Sequence, residues 1–206
     1  MNKGQLIEQD SFNIIKSEMT VRFTPLELPI VQRVIHATGD FDFERIIRFH
    51  PQAIKNGCKA IKNGCDIFVD VKMVEAGINK TLLKNFGGSI HCHISDEDVS
   101  SRAESEKITR AEASVDKAVS ASGNRIGIVA IGNAPTALLR IMELIDKGFF
   151  HPALVIGVPV GFVSALESKE LLNSKNYPFI TCLGRKGGSP IAVSIVNALM
   201  KLIEKN

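Results

Sequence analysis

Two charged stretches of this chain carry residue types that could do chemistry. The first is RVIHATGD at 33–40, continued by Phe41 and Asp42. Arg33 and His36 are three residues apart, so a helix would set them on one face. Imidazole gains and loses a proton near neutral pH, which makes His36 a candidate proton donor. Thr38, Asp40 and Asp42 stand close by. His36 also precedes Gly39 at a helix end, where a histidine can simply cap the last turn against the dipole, and both readings stand. The second stretch is GRKGGSP at 184–190. Glycines let backbone N–H groups approach a ligand, and a helix start favours anions. Arg185 and Lys186 add positive charge, and Gly187, Gly188 and Ser189 offer backbone donors. The order of lysine and serine is not that of a P-loop, and GxGxxG is absent.

Two more glycine turns accompany these: GNAPT at 132–136, with Asn133 and Ala134, and GVPVGF at 157–162. A turn between strand and helix uses glycine in any case, so GVPVGF alone is open to that plainer reading. Arg110 opens a helix, where it could meet an anionic ligand or pair with Glu106 or Glu112. Asp40 and Asp70 could orient His36 or a ligand-facing group, or merely cap helices. His50, His91, His93 and His151 read as structural. His91 and His93 share a strand face, but no nearby carboxylate or cysteine cluster supports a metal.

The elements that must position these residues are clearest in the second half. Runs at 125–132, 153–158 and 177–183 each lead into a glycine turn and then an apolar periodic helix. That repetition predicts a parallel sheet with covering helices. Ile67 to Val71 and Ser89 to Ile94 add strands. The expected fold class is α/β, a three-layer αβα single domain over 1–206 with a mainly parallel sheet of about five strands. Thr24, Pro25 and Glu27 form a capping signal for a helix running to Ile35. Ser11 to Met19 is a short helix or strand. AIKNGCK followed by AIKNGCD reads as helical periodicity over 51–63. Cys58 and Cys65 would then stand two turns apart, too far to bridge.

Composition narrows the classes. The 206 residues are 45% hydrophobic and 23% charged with a formal net charge of +3, so disorder and a nucleic-acid partner are both disfavoured. The longest uncharged run, Ala153 to Leu166, is shorter than the about 20 residues a membrane helix needs. The N-terminal residues carry acids where an export signal would be apolar. Four cysteines without a CxxC pair suit a reducing, cytoplasmic setting.

In sum of motifs, SFNII at 11–15, RVIHATGDFDF at 33–43, DVKMVEAGI at 70–78, TRAEA at 109–113, AIGNAPTAL at 130–138, PALVIGVPVGFVSALESKE at 152–170 and GRKGGSPIAVSIVNAL at 184–199 resemble the precorrin-8X methylmutase family, also called precorrin isomerase. The likeness runs in order through almost the whole chain. It implies a homodimeric α/β enzyme without a cofactor or protein-bound metal. The implied reaction moves a methyl group from C-11 to C-12 of precorrin-8X or cobalt-precorrin-8, giving hydrogenobyrinate or cobyrinate, by what is formally a 1,5-sigmatropic shift. The family's catalytic histidine falls on His36, where it would protonate or hydrogen-bond the ring C nitrogen. Expected substrate-binding positions are Ser11, Arg33, Thr38, Asp40, Met73, Arg110, Asn133, Ala134, Arg185, Lys186, Gly187, Gly188 and Ser189. Arginines offer bidentate bonds to the macrocycle's carboxylate arms. Phe41, Met73, Val160 and Phe162 could touch its face or belong to the core. Two other classes compete: a non-catalytic tetrapyrrole carrier of the same pathway, and a nucleotide or phosphate-metabolite enzyme that uses GRKGGSP as an anion nest.

Overall fold

A computed structural model describes residues 3–122 and 124–204. The chain opens with helix α1 (Lys3–Glu18), so the ambiguous 11–19 stretch is helical through Glu18. Thr24 and Glu27 form the expected reciprocal box: Thr24 N donates to Glu27 Oε2 (2.9 Å) and Glu27 N to Thr24 Oγ1 (3.3 Å). The box closes a turn just ahead of the helix, and α2 (Leu28–Thr38) begins immediately after it, with a proline in its first turn. Ile30, Val31, Val34 and Ile35 give α2 its buried face. Gly39 ends it at φ 65°, in the left-handed region that glycine enters without penalty.

A short helix α3 (Phe43–Ile46), strand β1 (Ile47–Phe49) and helix α4 (Ala53–Lys62) follow. The AIKNGC echo is helical only in part. α4 stops at Lys62 and Gly64 (φ 73°) turns the chain, so Cys65 lies beyond the helix. Next come β2 (Asp66–Val69), α5 (Lys72–Gly77), α6 (Lys80–Asn85), β3 (Ile90–His91), α7 (Glu97–Glu106) and α8 (Arg110–Ser122). Three strand–helix units complete the chain: β4 (Ile126–Ile131) with α9 (Pro135–Asp146), β5 (Leu154–Gly157) with α10 (Ala165–Asn173), and β6 (Phe179–Cys182) with α11 (Ser189–Glu204).

The strands form one sheet in the order β1-β6-β5-β4-β2-β3. All neighbours are parallel except β1, which pairs antiparallel with β6, Ile47 opposite Cys182. β1 is therefore a sixth strand where about five were expected. Its IRF segment is too short for an alternating pattern, and only the exposed edge of β6 makes it a strand. Alternation sorts the rest of the sheet. Ile128, Ala130, Leu154, Ile156, Ile180 and Cys182 face a layer with α2, α4 and α11, while Val129, Ile131, Val155 and Phe179 face α8, α9 and α10. This is the three-layer αβα arrangement. Among the described residues no helix is long and apolar enough to cross a membrane.

Candidate active site

The parallel strands end on one rim. There β2 leads through Asp70 into α5, β4 through 132–134 into α9, β5 through 158–164 into α10, and β6 through 183–188 into α11. The three glycine turns singled out in the sequence thus share an edge. Chain order reverses between β2 and β4, the place where an open parallel sheet leaves a crevice. Asp70 spans that reversal. Its buried carboxylate accepts the N–H groups of Gly132 (3.0 Å), Asn133 (2.7 Å) and Ala134 (2.7 Å). Burial holds the Asp70 carboxyl above its ordinary value, opposed by those N–H bonds. Asp70 therefore shapes the GNAPT turn, and the alternative in which it orients His36 is set aside. The same bonds occupy the backbone donors of Asn133 and Ala134, leaving the exposed Asn133 side chain for a ligand.

The other two turns are sewn together. Gly188 N donates to Val158 O (2.8 Å) and Gly161 N to Arg185 O (3.2 Å). Gly187 lies flush on this seam, because a Cβ there would strike Val158 O. The expectation that Gly188 offers a free backbone donor is corrected by its bond to Val158; Gly187 and Ser189 have no backbone acceptor among the described residues. A Cβ on Gly132 would come within 2.7 Å of Ser189 Cα, so the first and last turns also touch.

Lys186 brings the RVIHATGD stretch to this rim. Its Nζ donates to Asp40 Oδ2 (2.6 Å) and Asp42 Oδ2 (2.7 Å). The Lys186 hydrogen bond holds the Asp40 carboxyl below its ordinary value. Thr38 supports the same corner: Oγ1 donates to Val34 O (2.9 Å) and accepts from Asp40 N (3.2 Å). One turn earlier, His36 is exposed, its ring edge-on to Phe12 at 5.4 Å. The Arg33 guanidinium stacks over the same Phe12 ring at 5.2 Å and pairs with Glu8 at 3.1 Å. Gly4, Gln5, Ile7 and Glu8 of α1 line a hollow beside His36. Ser11 stands on α1 next to Phe12, its hydroxyl donating to Ile7 O (2.8 Å).

The cations differ in how they are held. Lys186 and Arg33 already carry carboxylate partners within the chain. Arg185 lies over the Phe162 ring at 5.3 Å and has no carboxylate partner among the described residues. Nor does Arg110 make either pairing weighed for it: Glu106 holds Arg102 (2.8 Å), and Glu112 accepts from Thr109. Arg110 is exposed at the start of α8 and lines a hollow with Ser100, Ala103, Glu104, Lys107 and Ile108, while its neighbour Thr109 reaches the start of α9, where its Oγ1 meets Thr136 Oγ1 (2.9 Å). Met73 (68% exposed), Val160 (46%) and Phe162 (81%) stand in solvent at the strand ends, which rules out their core reading. Phe41 instead packs against the core.

His91 and His93 do have carboxylate neighbours: Asp66, 25 positions away in the chain, lies 3.0 Å from His91, and Asp96, three residues on, lies 2.8 Å from His93. Among the described residues no three His, Cys, Asp or Glu are placed to hold a metal ion. Phe12 and Glu8 went unnoticed in the residue-by-residue reading, although Phe12 lies inside the SFNII motif. Together these groups offer an exposed imidazole, two guanidiniums without internal carboxylate partners among the described residues, and exposed apolar side chains. The set suits a broad ligand with apolar faces and anionic arms.

The family model described as precorrin-8X methylmutase matches residues 6–202. A cobalt-precorrin-8 methylmutase of Leptospira interrogans is 48% identical over 211 residues, 99% of this chain and 96% of that one. Its Priestia megaterium namesake is 49% identical over 201 residues, 97% and 88% of the two chains. The crystal structure of precorrin-8x methyl mutase from Thermus thermophilus superposes with a TM-score of 0.90 at 41% identity, covering 98% of this chain and 97% of that one.

Proposed function

The chain belongs to the precorrin-8X methylmutase family, isomerases of cobalamin biosynthesis, and from that premise we propose that it moves a methyl group from C-11 to C-12 of the corrin precursor. His36 is the proton donor. Its imidazole protonates the ring C nitrogen, draws electron density from the adjacent carbons and so eases the shift; the proton returns once the methyl has moved. The reaction stays within one molecule, so the protein's part is positioning and that one polarising proton.

Arg185 and Arg110 grip carboxylate arms, because neither has to release an internal carboxylate first. Lys186 and Arg33 add longer-range charge and exchange partners where an arm reaches them. Gly187, Ser189, Asn133 and Ala134 line the rim, and Ser11, Thr38 and Asp40 the His36 side. Met73, Val160 and Phe162 cover a face of the ring. The cobalt names of the Leptospira and Priestia relatives favour cobalt-precorrin-8 as the substrate. The free thiols of Cys58, Cys65, Cys92 and Cys182 suit a cytoplasmic enzyme, and the family resemblance suits a homodimer.

The observation that carries this reading is the exposed imidazole of His36, one turn before the corner that Asp40 ties to Lys186. The test is absorbance-monitored turnover of the cobalt-containing and metal-free substrates by the wild type and His36→Ala. Loss of turnover with binding retained is expected for His36→Ala, and unchanged turnover would remove His36 from the mechanism. Binding without turnover by the wild type would identify a carrier. Faster conversion of the metal-free substrate would overturn the cobalt assignment.

A further inference from the structure

Lys169 is fully buried in α10, at 0% exposure, and no step described so far employs it. Lysines buried this deeply are almost always paired. Among the described residues no carboxylate pairs with Lys169, and its Nζ donates instead to the main-chain carbonyl of Lys186 at 2.7 Å. The Cys182 thiol approaches the same oxygen at 3.2 Å. Two donors thus fasten the 184–188 loop from beneath, while Gly161 N holds Arg185 O at 3.2 Å from the side. A methionine would fill the same volume without burying an amine, so packing alone does not call for lysine. Burial lowers the Lys169 amine below its ordinary value. Protonated or neutral, it keeps an N–H to donate, so the bond to Lys186 survives either state.

We infer that Lys169 is a positioning residue: by holding the Lys186 carbonyl it sets the direction in which Arg185 and Lys186 leave the loop, and so controls affinity for the carboxylate arms. This rests on the reading above of the 184–188 loop as part of the carboxylate grip. The effect should fall on binding more than on the methyl shift, because His36 is carried by a different element.

The test is absorbance titration with cobyrinate of the wild type, Lys169→Met, Arg185→Ala and the double variant, alongside KM and kcat. Lys169→Met is expected to weaken binding about tenfold and to raise KM more than it lowers kcat. It should add less than about twofold once Arg185 is alanine, since both changes act through one loop. A residue that only stabilises the fold would lower the melting temperature without that non-additivity. Should Lys169→Met not fold, Lys169→Gln takes its place, with an arm too short for the carbonyl and the same loss expected. Unchanged affinity in a folded Lys169 variant, or fully additive losses, overturns the inference while leaving the grip intact. Wild-type affinity in Arg185→Ala would refute the grip itself, and the inference with it.

Discussion

Four basic residues were expected at the site, and they are not equivalent. Arg33 and Lys186 are already engaged by Glu8 and by Asp40 and Asp42, so a substrate carboxylate gains only the difference between two similar bonds. Arg185 and Arg110 are free of that competition. Arg185→Ala should therefore weaken cobyrinate binding by about 1.5–3 kcal/mol, the worth of a hydrogen bond to a charged group. Lys186→Ala should cost clearly less, and equal losses in the two titrations would contradict this ranking. The Asp40–Lys186 contact also predicts a pH effect. Lys186 depresses the Asp40 value below the ordinary 3.8, so the contact stabilises the folded state above that pH and is lost as acid passes the depressed value. Carboxyl NMR should find Asp40 titrating below 3.8 in the wild type and shifting upward in Lys186→Met, where only the Asp42 N–H bond to Oδ1 still lowers it. Residue types near His36 were legible as chemistry. The partners that hold them, Phe12 and Glu8 from α1, were not, because a contact across more than twenty positions leaves no local pattern.

Among the elements, the rim turns carry the site and their rigidity has identifiable sources. Asp70→Ala would leave the N–H groups of Gly132, Asn133 and Ala134 without their acceptor at the β2–β4 reversal. A loss of about 3 kcal/mol is expected in denaturant unfolding, with a change near zero refuting the role assigned to Asp70. Gly187→Ala should also destabilise, because its Cβ meets backbone oxygen that cannot move aside without opening the 158–161 seam. Binding should fall in that variant together with stability. The strand–turn–helix units were legible because hydrophobic period and turn glycines agree within each unit. β1 was not, since its identity comes from the edge of β6 and not from its own three residues. The AIKNGC echo failed differently: identical residues end the helix in the second copy, where Gly64 turns the chain.

At the scale of the whole molecule, a ligand that seats on turns from several strands should stabilise the fold as a unit. Cobyrinate at 100 times its Kd should add about 2.7 kcal/mol, read as roughly 5–10 °C in melting temperature for a chain of this size. A melting temperature that does not move at saturating ligand would count against a rim site. The sequence by itself determined the α/β class, the three glycine turns and the residue types of the chemistry, because periodicity, turn chemistry and side-chain type are local properties. Strand order, the edge strand, the Asp70 clasp, the Asp40–Lys186 bridge and the buried Lys169 were decided only by the tertiary structure. Each depends on which distant segments the sheet brings side by side, and that follows from how the helix layers pack rather than from any short run of residues.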